Sequence, residues 1–282
     1  MKILTLNTHS LQEENYEQKL HKFVSGILHE RPDIIAMQEV NQTAGAELME
    51  VEDLEGQYPV PVCMKIRKDN HAAVVANLLR KAGIDCYWAW LPVKRRYDRF
   101  DEGVAVISLG RPIRSIDKFP ICKVNDYSNR RTSAVLGVQV EGMEDWFYSL
   151  QMGRWEETGE GFLEQWKILN SCIAGKRMCG PVWLLGDFHA PDSIRGQSYD
   201  HMVSCGWFDT YCLAFDKDRG ITFPGVTDGW REREDVPAEK GTRPDYIWCS
   251  RKRTVLTSRV VFNGTKEPVV SHHFGVMIEI KE

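Results

Sequence analysis

The stretch Pro181–His189, PVWLLGDFH, is an apolar run closed by Gly186 and Asp187. A short apolar run of this length between turn residues reads as a buried strand, and Asp187 stands where that strand gives way to a loop. The pattern recurs along the chain. Asn7 ends the strand-like KILTLN, Glu39 ends DIIAMQE, Asp245 opens PDYIW and His273 opens FGVMIEI. A single Asn or Asp at a strand end is most often a turn residue. Five polar residues beside five buried runs point instead to one place, because sites in α/β sheets form where strand ends converge.

Between these strands the spacing predicts helices. Leu20, Phe23, Val24, Ile27 and Leu28 make one apolar face within YEQKLHKFVSGILHE, which Pro32 stops. DNHAAVVANLLRKAG reads as a helix with Asp69 as N-cap and Gly83 as its stop. FLEQWKILNSCIAG and a short segment near YDHMVSCG are further helices, and DCYWAWL, GVAVISL, SAVLGVQV, WFYSLQM and TVLTSRVVF are further strands. Residues 227–243, rich in Gly, Pro and charge, form the one long irregular stretch. Alternating strands and helices without a linker or strong repeat predict one α/β domain over residues 1–282, with helices outside.

The chain has 282 residues, 43% of them hydrophobic, enough for a sizeable core. A net charge of −4 provides no global basic field of the kind that draws nucleic acid. Eight cysteines lie singly with no CxxC, which fits reduced thiols in a cytoplasmic protein. MKILTLNTH is too short and too polar for a signal peptide, and no apolar run approaches the roughly 18 residues of a membrane span. The composition leaves the oligomeric state open.

The ordered motifs LTLNTH, DIIAMQEVN, FDEGVAVIS, VWLLGDFH, RPDYIW and SHHFGV resemble the endonuclease/exonuclease/phosphatase superfamily over nearly the whole chain, from Asn7 to His273. A denser resemblance, through YSLQMGRW and DFHAPDSIRGQSYD, is to a bacterial subgroup, some of whose members resemble maltose 6′-phosphate phosphatase. The resemblance implies a four-layer α/β sandwich of two packed mixed β-sheets with helices on the outer faces. It also implies in-line attack by water on phosphorus, assisted by a divalent ion, with Mg²⁺ the expected one. Carried over by motif, Glu39 is the principal metal ligand and Asn7 holds metal or phosphate. Asp187 orients and deprotonates the water, His273 donates to a phosphoryl oxygen, and Asp245 fixes its tautomer. Hard oxygen ligands suit Mg²⁺, and phosphoryl transfer depends mainly on positioning and charge stabilisation.

Three positions depart from the pattern. His272 replaces an Asp, His189 replaces an Asn, and Gln151 replaces a His that would pair with a carboxylate at Glu102 and serve the leaving group. In one reading the site is retuned: His272 ligates Mn²⁺ or Zn²⁺, His189 supplies an N–H donor, and Gln151 keeps a hydrogen bond without a proton to give. In the other it is a non-catalytic sugar- or phosphate-binding relic; a nuclease is a third alternative. For substrate, Trp88, Trp90, Trp155 and Trp230 fall at expected loop or strand-end positions where indoles stack on sugars or bases. Arg95, Arg96, Arg99, Arg130 and Arg131 are candidate phosphate clamps, Arg131 foremost. Together these favour a small phosphorylated sugar, with neither nucleic acid nor membrane as a partner.

Overall fold

The computed structural model describes residues 1–124, 126–129, 131–155, 160–227, 230–231 and 241–281, with backbone alone at 226–227 and 230–231. The chain begins with β1 (Lys2–Asn7), α1 (Tyr16–Glu30), β2 (Ile34–Thr43), α2 (His71–Lys81), β3 (Cys86–Arg96) and β4 (Phe100–Leu109). It continues with β5 (Ile113–Pro120), β6 (Ala134–Val140), β7 (Trp146–Gln151), α3 (Phe162–Cys179) and β8 (Val182–Asp187). Next come α4 (Ser198–Ser204), β9 (Phe208–Asp209), α5 (Thr210–Leu213) and β10 (Asp216–Lys217). β11 (Val226–Thr227), β12 (Trp230–Arg231), β13 (Asp245–Cys249), β14 (Val255–Val261) and β15 (Gly275–Ile280) complete it.

Two mixed sheets result, in the orders β10-β14-β15-β1-β2-β4-β3 and β5-β6-β7-β8-β13-β9, while β11 and β12 pair with each other. Period-two alternation sorts the apolar side chains into layers. Ile3, Ile34 and Val106 of the first sheet meet Val138, Phe147, Trp183 and Leu185 of the second. Leu4, Leu6 and Met37 face the other way, under Leu20, Phe23 and Ile27 of α1 and Ala76 and Leu79 of α2. Leu150 and Leu184 carry Phe162, Trp166 and Leu169 of α3. The expected four-layer sandwich is the observed one. All eight cysteines are free thiols, and among the described residues no helix is long and apolar enough to cross a membrane.

A buried amide joins the sheets. Gln38 Nε2 donates to Ser149 Oγ at 2.9 Å and to the Leu185 carbonyl at 3.3 Å, and Ser149 Oγ donates to the Met37 carbonyl at 2.9 Å. A buried polar link of this kind fixes how one sheet lies on the other, because each group left unpaired costs about 1–3 kcal/mol.

Three local expectations need correction, and one strand escaped the sequence reading. Asn70, not Asp69, caps α2, its side chain accepting from Ala73 N at 3.1 Å. Asp69 instead accepts from the Thr43 amide at 3.0 Å. Trp88 and Trp90 are core residues inside β3, 0% and 2% exposed, and cannot stack on a ligand. β5 was not legible, because its partly exposed sequence IRSIDKFP lacks a buried face. Glu39 does not end β2, which runs on to Thr43 through a bulge between Met37 and Val40. The expected irregular stretch at 227–243 falls largely outside the described residues.

Gly186 is required by its surroundings: its φ is +151°, and a Cβ there would lie 1.9 Å from the Leu150 carbonyl oxygen of the neighbouring strand. Gly186→Ala is expected to destabilise the fold by about 2–5 kcal/mol, combining overpacking and backbone strain. Urea unfolding of the two proteins checks this; a loss under about 0.5 kcal/mol would contradict the packing described.

Candidate active site

Strand register builds the site. β7 runs parallel to β8 with Gln151 opposite Asp187, and β13 runs antiparallel to β8 with Asp245 opposite Asp187. Three polar residues thus form a row across the end of one sheet. In the other sheet Asn7 pairs with Gln38, and β15 brings the segment before it, with Ser271, His272 and His273, to the same rim. Ser271 Oγ donates to the Asn7 carbonyl at 2.7 Å and pins that segment.

The bulge in β2 turns Glu39 toward this row, with φ +52°, a left-handed conformation that costs a non-glycine residue about 1 kcal/mol or more. Asn7 Nδ2 donates to Glu39 Oε1 at 3.0 Å and Asp187 Oδ2 at 3.3 Å. Gln151 Nε2 donates to the same two oxygens at 2.8 and 3.3 Å. Two carboxamides therefore hold two carboxylates side by side, Asp187 buried and Glu39 half-buried. Burial pushes the Glu39 carboxyl up, but His9, His272 and these amides outweigh it and hold it well below the ordinary range. Asp187 is raised by burial and lowered more by His189 and His273. Both carboxylates are ionised at neutral pH.

His273 Nδ1 donates to Asp245 Oδ2 at 2.9 Å, and Thr222 Oγ1 donates to the same oxygen at 2.6 Å. Burial pulls the His273 pKa down, yet Asp245, Asp187 and Glu39 together push it up to about 10. The ring is an imidazolium whose Nδ1 is tied to Asp245. His189 Nδ1 donates to the Met152 carbonyl at 2.8 Å, and its Nε2 lies 3.5 Å from Asp187 Oδ2. Glu102 is pushed up, by burial first and then by Glu39, and bonds Gln12 Nε2 at 3.2 Å and Lys94 Nζ at 3.6 Å. A pocket of about 230 Å³ lies between Glu39, Lys94, Glu102, Ser133 and Gln151.

Asn7, Glu39, Asp187, Asp245, His189, His272, His273 and Gln151 thus belong to one connected rim. Glu102 shares the pocket, but the pairing expected between it and position 151 is not made: Gln151 turns its amide on Glu39 and Asp187. His272 Nδ1 bonds Glu13 Oε1 at 3.1 Å. Arg131 is exposed beside this end, its backbone amide on Asn129. Trp155 is half-buried against Phe162 and His201, with ring centroids 6.0 Å away in each case, which commits much of its surface to the helical layer. Arg130 and the Trp230 side chain lie outside the described residues. Sequence reading missed His9, Glu13, Thr222 and Lys94. His9 stood inside the quoted motif LTLNTH without a role; the others sit in loops or mid-strand, where nothing in the local pattern marks them.

The two packed mixed sheets, with this rim of Asn, Glu, Asp and His, give the chain the hydrolase fold of the endonuclease/exonuclease/phosphatase superfamily. It is similar to a family protein from Leptotrichia buccalis, with 28% identity and a TM-score of 0.83 over 100% of both chains. A mannosyl-6-phosphatase from Bacteroides thetaiotaomicron shares the fold at 16% identity and a TM-score of 0.66, again over 100% of both chains. A 3′-5′ exonuclease from Neisseria meningitidis does so at 17% identity and 0.63, with the same coverage. No family model matches the chain, and no curated protein does.

The His273–Asp245 pair has a pH signature. Because the folded pKa is raised from 6.5 to about 10, its stabilising charge is fully present below pH about 6.5 and is lost as pH rises through about 10. The ring nitrogens of His273, followed by NMR, are expected to titrate near 10; a midpoint near 6.5 would contradict the ion pair.

Proposed function

We propose that this chain is a divalent-metal-dependent phosphomonoesterase acting on a small phosphorylated sugar, with residues 1–282 as one catalytic domain. The observation that carries the reading is the Glu39–Asp187 carboxylate pair beside the cationic His273. Negative oxygens that can face a metal and a water stand next to a donor for a phosphoryl oxygen.

Each residue then has a task. Glu39 is the principal metal ligand, with Asn7 beside it and His272 favouring Mn²⁺ or Zn²⁺ over Mg²⁺. The donor set fits such an ion, since it offers a half-buried carboxylate with imidazoles nearby. A bound ion would supply charge stabilisation to the phosphoryl oxygens. Asp187 positions the attacking water and takes its proton; the bonds that keep it ionised make it a stronger positioning group than base. His273 donates to phosphoryl oxygen, and Asp245 and Thr222 hold its ring. His189 offers an N–H from the opposite side of Asp187. Lys94 adds positive charge at the pocket beside Glu102, while Arg131, Trp155 and Trp230 would serve as outer substrate contacts.

Gln151 has no proton to give, so departure of a poor leaving group is the slow step. The likeness to a mannosyl-6-phosphatase supports a sugar phosphate, as does the net charge of −4. The chain is read as cytoplasmic, without a membrane partner.

Phosphate release from hexose 6-phosphates, p-nitrophenyl phosphate and oligonucleotides, each with Mg²⁺, Mn²⁺ and Zn²⁺, tests the proposal. Sugar phosphates are expected to be hydrolysed, and the aryl ester faster, because its leaving group departs unprotonated. Asp187→Asn should lower the rate about 10²–10⁴-fold, the usual size of a lost acid–base group. Cleavage of oligonucleotides alone would overturn the substrate class. No turnover with any metal would favour the phosphate-binding relic.

A further inference from the structure

Two cations at the end of β3 stand beside the pocket with more charge and more donors than their protein partners use. β3 pairs antiparallel with β4, Lys94 opposite Glu102 and Arg96 opposite Phe100. Side chains two apart on a strand share one face, about 6.5–7 Å apart along it. Lys94 and Arg96 therefore lie on the face that carries Glu102. Lys94 and Glu102 in turn line the pocket with Glu39, Ser133 and Gln151.

Neither cation is fully satisfied. The Lys94 side chain is only 12% exposed, yet its Nζ stands 3.6 Å from Glu102 Oε1, a long ion pair. Among the described residues that Nζ makes no hydrogen bond, although an ammonium offers three. Arg96 is half-buried, with its guanidinium 4.8 Å from the ring centroid of Tyr97. Its Nε is buried without a partner, and among the described residues no carboxylate comes within ion-pair distance of it. Burial lowers the Arg96 pKa, but Glu102 and Glu39 raise it more, so the guanidinium lies in the field of both pocket carboxylates. Buried donors without partners are costly, and at a pocket they suit the acceptors of a ligand.

Arg95, on the opposite face of β3, shows the contrast: its Nη2 lies 3.0 Å from Asp101 Oδ1 and is neutralised there. On the pocket face two cations share the one carboxylate of Glu102. The other carboxylate of the pocket, Glu39, is bonded by the amides of Asn7 and Gln151 and is the proposed metal ligand. A net positive charge is left beside Glu102. Phosphate and carboxylate groups match it, since a guanidinium gives parallel N–H donors and an ammonium adds a mobile point charge. The pocket volume of about 230 Å³ is below the roughly 300 Å³ where pockets for drug-sized ligands begin, so it suits one small ester.

We propose that Lys94 and Arg96 form a cationic subsite for a second anionic group of the substrate, so that the preferred ester is a small sugar phosphate carrying a further phosphate or carboxylate. The proposal rests on the phosphoesterase reading of the same rim and narrows its substrate class. With the reacting phosphoryl group at Glu39 and Asp187, the rest of the ester extends along the pocket, and its second anion meets the two cations.

The test compares kcat/KM for phosphate release from a hexose 6-phosphate, its 1,6-bisphosphate and a 6-phosphorylated aldonic acid, each with Mg²⁺ and Mn²⁺. At least one doubly anionic ester is expected to exceed the monophosphate at least tenfold. A preference for the bisphosphate assigns phosphate to the subsite, and one for the sugar acid assigns carboxylate. Arg96→Gln and Lys94→Met should each lower that ratio at least threefold, through KM rather than kcat. Arg111→Gln, at an exposed arginine bonded to the Glu141 carbonyl at 3.5 Å, should leave the ratio as it is. The wild-type ratio is a readout of its own if a variant loses the fold. Equal kcat/KM for the three esters would overturn the subsite and leave the phosphoesterase reading intact. Faster cleavage of a 5′-phosphorylated dinucleotide than of any sugar ester would put a nucleic-acid backbone there and overturn it too. If no ester is turned over, the phosphoesterase reading fails and calorimetry of the same esters decides the subsite alone. Tenfold tighter binding of a doubly anionic ester, lost in Arg96→Gln, upholds it, and equal binding overturns it.

Discussion

Two side-chain amides tie the rims of the two sheets. Asn7 and Glu39 belong to the seven-stranded sheet, Gln151 and Asp187 to the six-stranded one, and each amide donates to both carboxylates. Hydrogen bonds to a charged acceptor contribute about 1.5–3 kcal/mol each, whereas two carboxylates facing one another unaided would repel. The amides therefore make the close pair tolerable, and the pair makes the pocket useful. Gln38 and Ser149, one residue-pair deeper, keep the sheets from sliding and so hold the rim in register.

Strain and burial gather at the same edge. Left-handed backbone at His9, Ser10, Glu39 and His189 turns side chains that strand alternation alone would send elsewhere. Asn7, Asp187, Asp245 and His273 are each no more than 2% exposed. A buried charge is stable only when paired, and each here has its partner: Asp187 the amides and His189, Asp245 the ring of His273 and Thr222. Such an assembly costs stability that an apolar rim would not. Its persistence agrees with chemistry as its purpose, the more so because Gly186 must stay small to let β7 pass beside β8.

Much of the fold was legible because apolar periodicity carries it. PVWLLGD and the helix face of Leu20, Phe23 and Ile27 mark burial directly, and both appear in the structure as read. What escaped were features set by partners distant in sequence. The cap of α2 went to Asn70 because Thr43 claims Asp69. The bulge at Glu39 depends on pairing with β4, and the indoles of Trp88 and Trp90 were drawn inward by α2 and the strands beneath it. The strand-end polar residues that share this rim were readable as a set. Glu13 was not, since its meaning comes from His272, 259 positions away. The departures at 151, 189 and 272 read as changes around one pocket, and in space Gln151 bridges the carboxylates, His189 flanks Asp187 and His272 joins His9.

The amide-bridged carboxylate pair is the constraint that joins the two sheets, and a double-mutant cycle measures it. Asn7→Ala, Gln151→Ala and the double variant are compared by the free energy of unfolding in urea at neutral pH. If both amides stabilise one shared pair of charges, removing the second should not simply add to the first. A coupling energy of about 0.5–3 kcal/mol is the range for residues in one network. Additivity within about 0.3 kcal/mol would mean that the two amides act independently, and would contradict the pair as the constraint joining the sheets.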